Sequence, residues 1–241
     1  SMPSLVGSEM CIRDSDNTIS FEYYFPYVRS SFIMNQERIY IEKHGDKESY
    51  AGVCEDYNLG MTLIFFLTNI SDYTNTKWMN YSNHLITKAY MSGLSTSGKV
   101  ILDIEQLPPA NREHKCSSVN RNKLIEAARQ GDRSAMESLT LDDMDIYTQV
   151  SRRAHYEDIL SIVETNFMPY GIETEHYSII GNILDCSLCE NDYTKEPVYL
   201  LNVETNEMLM AIAINEKDLL GTPAPGRRFK GEIWLQGNVI F

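Results

Sequence analysis

Phe229-Lys-Gly-Glu-Ile-Trp-Leu-Gln-Gly-Asn-Val-Ile-Phe241 closes the chain as a run with apolar and polar side chains in near alternation. A period of two is the signature of a strand with two unlike faces. The same signal recurs upstream at Met208–Ile214, Val198–Glu204, Tyr177–Glu190 and Ile159–Met168. Turn residues separate these runs: Thr205-Asn206, Asn191-Asp192 with Thr194-Lys195, and Pro169-Tyr-Gly171. Glycines inside strands, at 181 and 231, mark places where a backbone bends or bulges. Short strands at this spacing predict a small β-barrel-like region, OB-like or SH3-like, over residues 158–241.

Further upstream the period changes. Ser118 is placed to N-cap a helix through Asn120–Gln130, with Gly131 at its C′ position. Asp132 predicts a second, short helix ending near Leu139. Thr140-Leu-Asp-Asp143 predicts a third, with Leu141, Met144, Tyr147 and Val150 on its apolar face. Residues 107–157, opened by Leu107-Pro108-Pro109, therefore read as a linker and helices. Residues 16–106 read as an antiparallel β region. It begins with Phe21–Val28, which Pro26 pushes toward a sheet edge. A hairpin follows around His44-Gly45-Asp46, and another has its turn at Ser95-Thr-Ser-Gly98. Gly60–Leu67 fits a buried strand or the start of a helix. The predicted class is α+β, with an N-terminal antiparallel sheet, a helical middle and a C-terminal small barrel.

A formal net charge of −13 argues against binding to bulk nucleic acid, which needs lysines and arginines to displace counterions. The longest apolar run, Met61–Leu67, is far short of the roughly 20 residues of a membrane helix, so no membrane partner is expected. Cys54, Cys116, Cys186 and Cys189 form no disulfide pattern, and free thiols suit a reducing cytoplasm. The sequons at Asn69 and Asn80 then carry no glycan. Cys186 and Cys189 have knuckle spacing, but residues three apart on a strand point to opposite faces, so they read as structural thiols with no metal.

Gly221-Thr-Pro-Ala-Pro-Gly226-Arg227-Arg228 has the glycine spacing of a phosphate loop and lacks its mechanism. Pro223 and Pro225 have no N–H, and Arg227 and Arg228 stand where lysine and a hydroxyl belong. The segment reads as a rigid turn. On a regular strand Arg228, Lys230, Glu232, Trp234 and Gln236 share one face. Charge beside an aromatic ring is how nucleotides and single strands are held, so Arg228, Lys230, Trp234 and Gln236 are the candidate ligand-binding residues. The alternative is a solvated strand face with Trp234 lying against the helical segment.

His44, Asp46 and Glu48 fit an acid–base or metal set, and equally a polar turn. Arg152, Arg153 and His155 suit a helix C-terminus, as Asp142, Asp143 and Asp145 suit a first turn. No nucleophile elbow, zinc-protease helix, calcium loop or dinucleotide fingerprint is present, and no cofactor is implied. The leading expectation is a non-enzymatic cytoplasmic binding protein for a small anionic ligand, a nucleotide or oligonucleotide, or for a protein partner. One alternative is a hydrolase or nucleotide-processing enzyme built on His44. The other is a scaffold using the tyrosine-rich N-terminal strands.

Two groups of segments carry a family resemblance. Phe21-Glu-Tyr-Tyr-Phe-Pro-Tyr27 goes with Glu48-Ser-Tyr-Ala-Gly-Val-Cys54, and Asn120–Asp132 with Arg227-Arg-Phe-Lys-Gly-Glu-Ile-Trp-Leu-Gln-Gly237. Together they resemble an uncharacterised domain-of-unknown-function family of gut clostridia, which implies no activity, cofactor or catalytic residue. The run Leu5-Val-Gly-Ser-Glu-Met-Cys-Ile-Arg-Asp-Ser15 resembles a translated sequencing adapter found in metagenomic genes. It predicts that residues 1–15 are tag and adapter and that the native bacterial chain is truncated here.

Overall fold

Strands take up 58% of the chain and helices 17% in the computed structural model. Described are residues 5–13, 19–36, 38–43, 49–56, 59–78, 86–102, 124, 127–128, 130–153, 160, 163–172, 174–192 and 194–240. The strands are β1 (Leu5–Arg13), β2 (Ile19–Val28), β3 (Ile33–Asn35), β4 (Tyr40–Lys43), β5 (Tyr50–Asp56), β6 (Met61–Leu67) and β7 (Lys88–Ile101). After them come β8 (Asn166–Pro169), β9 (His176–Glu190), β10 (Pro197–Thr205), β11 (Met208–Asn215), β12 (Leu219–Leu220) and β13 (Arg228–Ile240). The α-helices with bounds among the described residues are α1 (Ile70–Trp78) and α2 (Arg133–Arg153); Leu124, Ala127, Ala128 and Leu160 are also helical. One compact unit comprises Ser1–Asp56, Met61–Leu102 and Thr165–Phe241 and holds these strands. The other comprises Tyr57–Gly60 and Asp103–Glu164 and holds α2.

Five strands close a barrel. β11 runs parallel to β7, and the antiparallel pairs β11–β10, β10–β9, β9–β13 and β13–β7 complete the ring. Alternation sends one set of side chains into the lumen: Phe229, Ile233, Leu235 and Val239 of β13, Ile179 and Ile183 of β9, Leu201 and Val203 of β10, and Met210, Ile212 and Ile214 of β11. All of these are at most 2% exposed. A ring this small fills only if some positions carry no side chain. A Cβ on Gly231 would sit 2.6 Å from the Phe229 ring and 2.7 Å from the Ser97 carbonyl. Gly231 therefore serves a close approach.

Outside the ring β13 runs parallel to β6 at Gln236 and Gly237, and β6, β5 and β4 continue antiparallel. The Tyr177 hydroxyl donates to the Ile64 carbonyl at 3.0 Å and accepts from the Ile64 N–H at 2.8 Å. It thus satisfies a backbone pair of β6 that no strand meets. Asn69 extends the β6–β13 ladder by one side chain, donating to the Val239 carbonyl and accepting its N–H. β1 and β2 form a separate two-stranded antiparallel sheet.

The α+β class, with a helical middle and an OB- or SH3-like barrel confined to residues 158–241, is overturned. The protein is mostly β, and one stave of its barrel, β7, comes from residues 88–101. Ser95-Thr-Ser-Gly98 looks like a turn, yet β7 runs straight through it. The register shifts there by one residue, and the Ser95 hydroxyl donates to the Glu232 carbonyl at 2.7 Å and the Ser97 carbonyl at 3.0 Å. The serine that favours a turn here stabilises a bulge. In the middle segment Asp132 does cap a helix, its Oδ1 accepting the Ser134 N–H at 2.8 Å. That helix, α2, passes through Thr140, whose hydroxyl donates back to the Met136 carbonyl at 2.8 Å instead of starting a new helix. Asp142, Asp143 and Asp145 therefore lie in the helix interior, not in a first turn.

Candidate binding face on the outer side of β13

Because Phe229, Ile233, Leu235 and Val239 fill the lumen, Arg228, Lys230, Glu232, Trp234 and Gln236 fall on the outer side of β13. The structure gives the two ends of this row different surroundings.

At the cationic end Arg228 is 3% exposed, and its Nε and Nη2 donate to the Leu102 carbonyl at 3.0 and 2.9 Å. Lys230 is half-buried and stands directly opposite Lys99 of β7. Directly paired side chains share a face with Cβ atoms about 4.5–5.5 Å apart, and like charges there are unfavourable. Neither lysine has an ion-pair partner among the described residues. Glu232, next along the row, is exposed opposite Ser97 and Ser178.

At the aromatic end Trp234 is opposite Leu94 and His176, with its ring centroid 4.9 Å from Phe66. Phe66 in turn meets Phe25 edge-on at 4.7 Å. Gln236 is fully buried, and its Nε2 donates to the Pro26 carbonyl at 2.9 Å. Its Oε1 has no hydrogen-bond partner among the described residues. Val28 joins Val198, Leu200, Ala211 and Ala213 in one apolar cluster, with Leu94 packed against it. The last residues of β2 thus reach Phe66, Gln236 and this cluster. Of the four residues singled out from sequence, Trp234 and Gln236 contact the chain itself, Arg228 holds a carbonyl, and Lys230 faces a second lysine. Lys99 was missed, since its pairing with Lys230 depends on a register set across more than a hundred residues.

The remaining candidates are arranged as follows. In the glycine-flanked turn the Arg227 Nη1 donates to the Thr222 carbonyl at 2.7 Å, and the Gly226 N–H to the Ile183 carbonyl at 3.0 Å. The donors that a phosphate would need are spent internally. The Cys186 thiol donates to the Pro223 carbonyl and the Cys189 thiol to the Val198 carbonyl. Burial, then the charge of Asp192, raises the Cys189 thiol. Burial, with Asp56 adding to it, pushes Cys54 up to about 12, so this thiol stays protonated and unreactive at neutral pH. Burial likewise pushes Tyr177 up to about 12. No group of three or more His, Cys, Asp and Glu residues among those described is placed to hold a metal ion. His44, Asp46 and Glu48 lie outside the described residues. On the terminal strand β4 Tyr40 is half exposed, with the Arg38 guanidinium 4.7 Å from its ring. No helix among the described residues is long and apolar enough to cross a membrane.

The chain belongs to the family described as "Domain of unknown function, E. rectale Gene description (DUF3881)", which matches residues 4–237. The match takes in the adapter-like run, whose residues Leu5–Arg13 form β1. No curated protein and no solved structure matches the chain.

Proposed function

We propose that this protein is a non-catalytic binding protein that takes a small anionic ligand of the nucleotide class on the outer side of β13, its phosphates against Lys230 and Lys99. The observation that carries this reading is the opposed lysine pair, left without an ion-pair partner among the described residues in a chain of net charge −13. Like charges on directly opposed side chains are unfavourable. An anion bridging them turns that repulsion into attraction. Arg228, on the same side of β13, fixes the Leu102 carbonyl beside the end of β7. Free thiols at Cys54, Cys186 and Cys189 support a cytoplasmic location.

Thermal-shift titration with inorganic tripolyphosphate at low ionic strength tests the proposal. The expected result is a concentration-dependent stabilisation that fades with added salt and weakens roughly tenfold in Lys230→Ala or Lys99→Ala. The absence of any shift in the wild type at low salt overturns it.

A further inference from the structure

We infer that Glu232, standing between Ser97 and Ser178, is the sugar subsite of this face, and that the ligand is a ribonucleotide whose vicinal diol this carboxylate binds. The inference rests on the nucleotide reading above and names the sugar. Three cross-strand rows follow one another on the outer side of β13, set by the sheet register. In the first, Lys230 stands opposite Lys99 of β7. In the second, two residues on, Glu232 stands between Ser97 of β7 and Ser178 of β9. In the third, Trp234 stands opposite His176 of β9. The β8–β9 ladder continues one hydrogen bond past its last pair, the Tyr170 N–H donating to the His176 carbonyl at 2.8 Å, which brings Tyr170 to the end of that row. Successive rows lie about 7 Å apart at the rise of a strand. Their order is cations, then hydroxyls with a carboxylate, then rings. A 5′-nucleotide has the same order: phosphate, sugar, base.

The middle row carries the inference. Glu232 is exposed, and neither its carboxylate nor the Ser97 and Ser178 hydroxyls have a hydrogen-bond or ion-pair partner among the described residues. Lys99 lies diagonal to Glu232, a distance that long side chains can span, yet the two form no ion pair. An ionised carboxylate only accepts hydrogen bonds, and its two oxygens suit the two hydroxyls of a diol. Dinucleotide-binding folds place an acidic side chain on the ribose for this reason. Beside a phosphate site a carboxylate repels the ligand unless the ligand also brings donors to it. Glu232 therefore selects: an anion without a diol meets repulsion alone, and a ribonucleotide meets an acceptor for its hydroxyls. In the third row His176 and Tyr170 are exposed, Tyr170 at 56%, while Trp234 is half-buried against Phe66. Such rings stack any base. The base falls on His176 and Tyr170, with the indole beside them.

The test is isothermal titration calorimetry at low ionic strength. It compares ATP with 2′,3′-dideoxy-ATP, which has the same charges and base and no diol, and with tripolyphosphate. EDTA is present, so no divalent cation links carboxylate to phosphate. The wild type is expected to bind ATP about fivefold more tightly than dideoxy-ATP, as a charge-assisted hydrogen bond at an exposed site provides. Glu232→Ala is expected to bring ATP down to the level of dideoxy-ATP, while tripolyphosphate binds as tightly as before or more tightly, since a nearby negative charge is gone. If that variant melts in the assay range, the wild-type ratio alone decides. Equal affinities of the wild type for ATP and dideoxy-ATP, with tripolyphosphate still bound, overturn the sugar subsite and leave the anion site standing. A ratio that Glu232→Ala leaves unchanged overturns the role of Glu232, and so does a variant that loses tripolyphosphate in step with ATP. Failure of tripolyphosphate to bind the wild type overturns the proposed function, and the subsite with it.

Discussion

Lys230 and Trp234 stand on the same side of one strand, yet one faces another lysine and the other packs its indole against Phe66 of β6. The difference teaches that alternation along a strand decides which side a residue takes, whereas cover from distant chain decides whether that side is available. Gln236 is tied to Pro26 by a hydrogen bond that spans 210 residues, and Trp234 packs against Phe66 of β6. At the other end Lys230, half-buried, and Lys99, exposed, stay opposed.

The largest effect should come from removing what both ends share. Phe229→Ala empties a fully buried lumen position and should cost about 3–5 kcal/mol, read by chemical denaturation, abolishing any distinction between the ends. Next is alkaline pH. Tyr177 and Cys54 have folded pKa values near 12, above their unfolded values of 10 and 9, so the folded state holds protons that the unfolded chain has lost. Their contribution is fully present below pH 9, and stability should fall as pH rises from 9 toward 12. Cys54→Ala should flatten the first part of that decline in a melting-temperature series. Tyr177→Phe should cost about 1–3 kcal/mol at neutral pH, by leaving the Ile64 N–H and carbonyl unmet. The smallest effect separates the ends. Lys99→Gln should raise stability by about 0.5 kcal/mol at low salt, through relief of the like-charge pair, and the gain should vanish at high salt. A gain that persists at high salt would show that the lysines do not repel and would remove the reason for setting this end apart.

Much of the fold was legible where local pattern and tertiary structure agree. The turns at Thr205-Asn206 and Asn191-Asp192 and the inward set of β13 could be read directly, since a period of two survives burial. Legibility failed where one residue type serves two structures. Ser95–Gly98 has turn chemistry and forms a bulge inside β7; Thr140 has cap chemistry and bonds back within α2. The candidate site was half legible for the same kind of reason. The row Arg228, Lys230, Trp234, Gln236 follows from spacing, but Lys99 enters through the β7–β13 register and Pro26 through a hydrogen bond to Gln236 that no local window contains.

Both ends of β13 can be read at once by covalent footprinting with mass spectrometry, labelling lysines by acetylation and tryptophan by oxidation, with and without tripolyphosphate. This account predicts that Lys99 and Lys230 label readily and are protected by tripolyphosphate, while Trp234 labels slowly under both conditions. Lysines that tripolyphosphate leaves unprotected, or a Trp234 that oxidises as fast as a free indole, would contradict it.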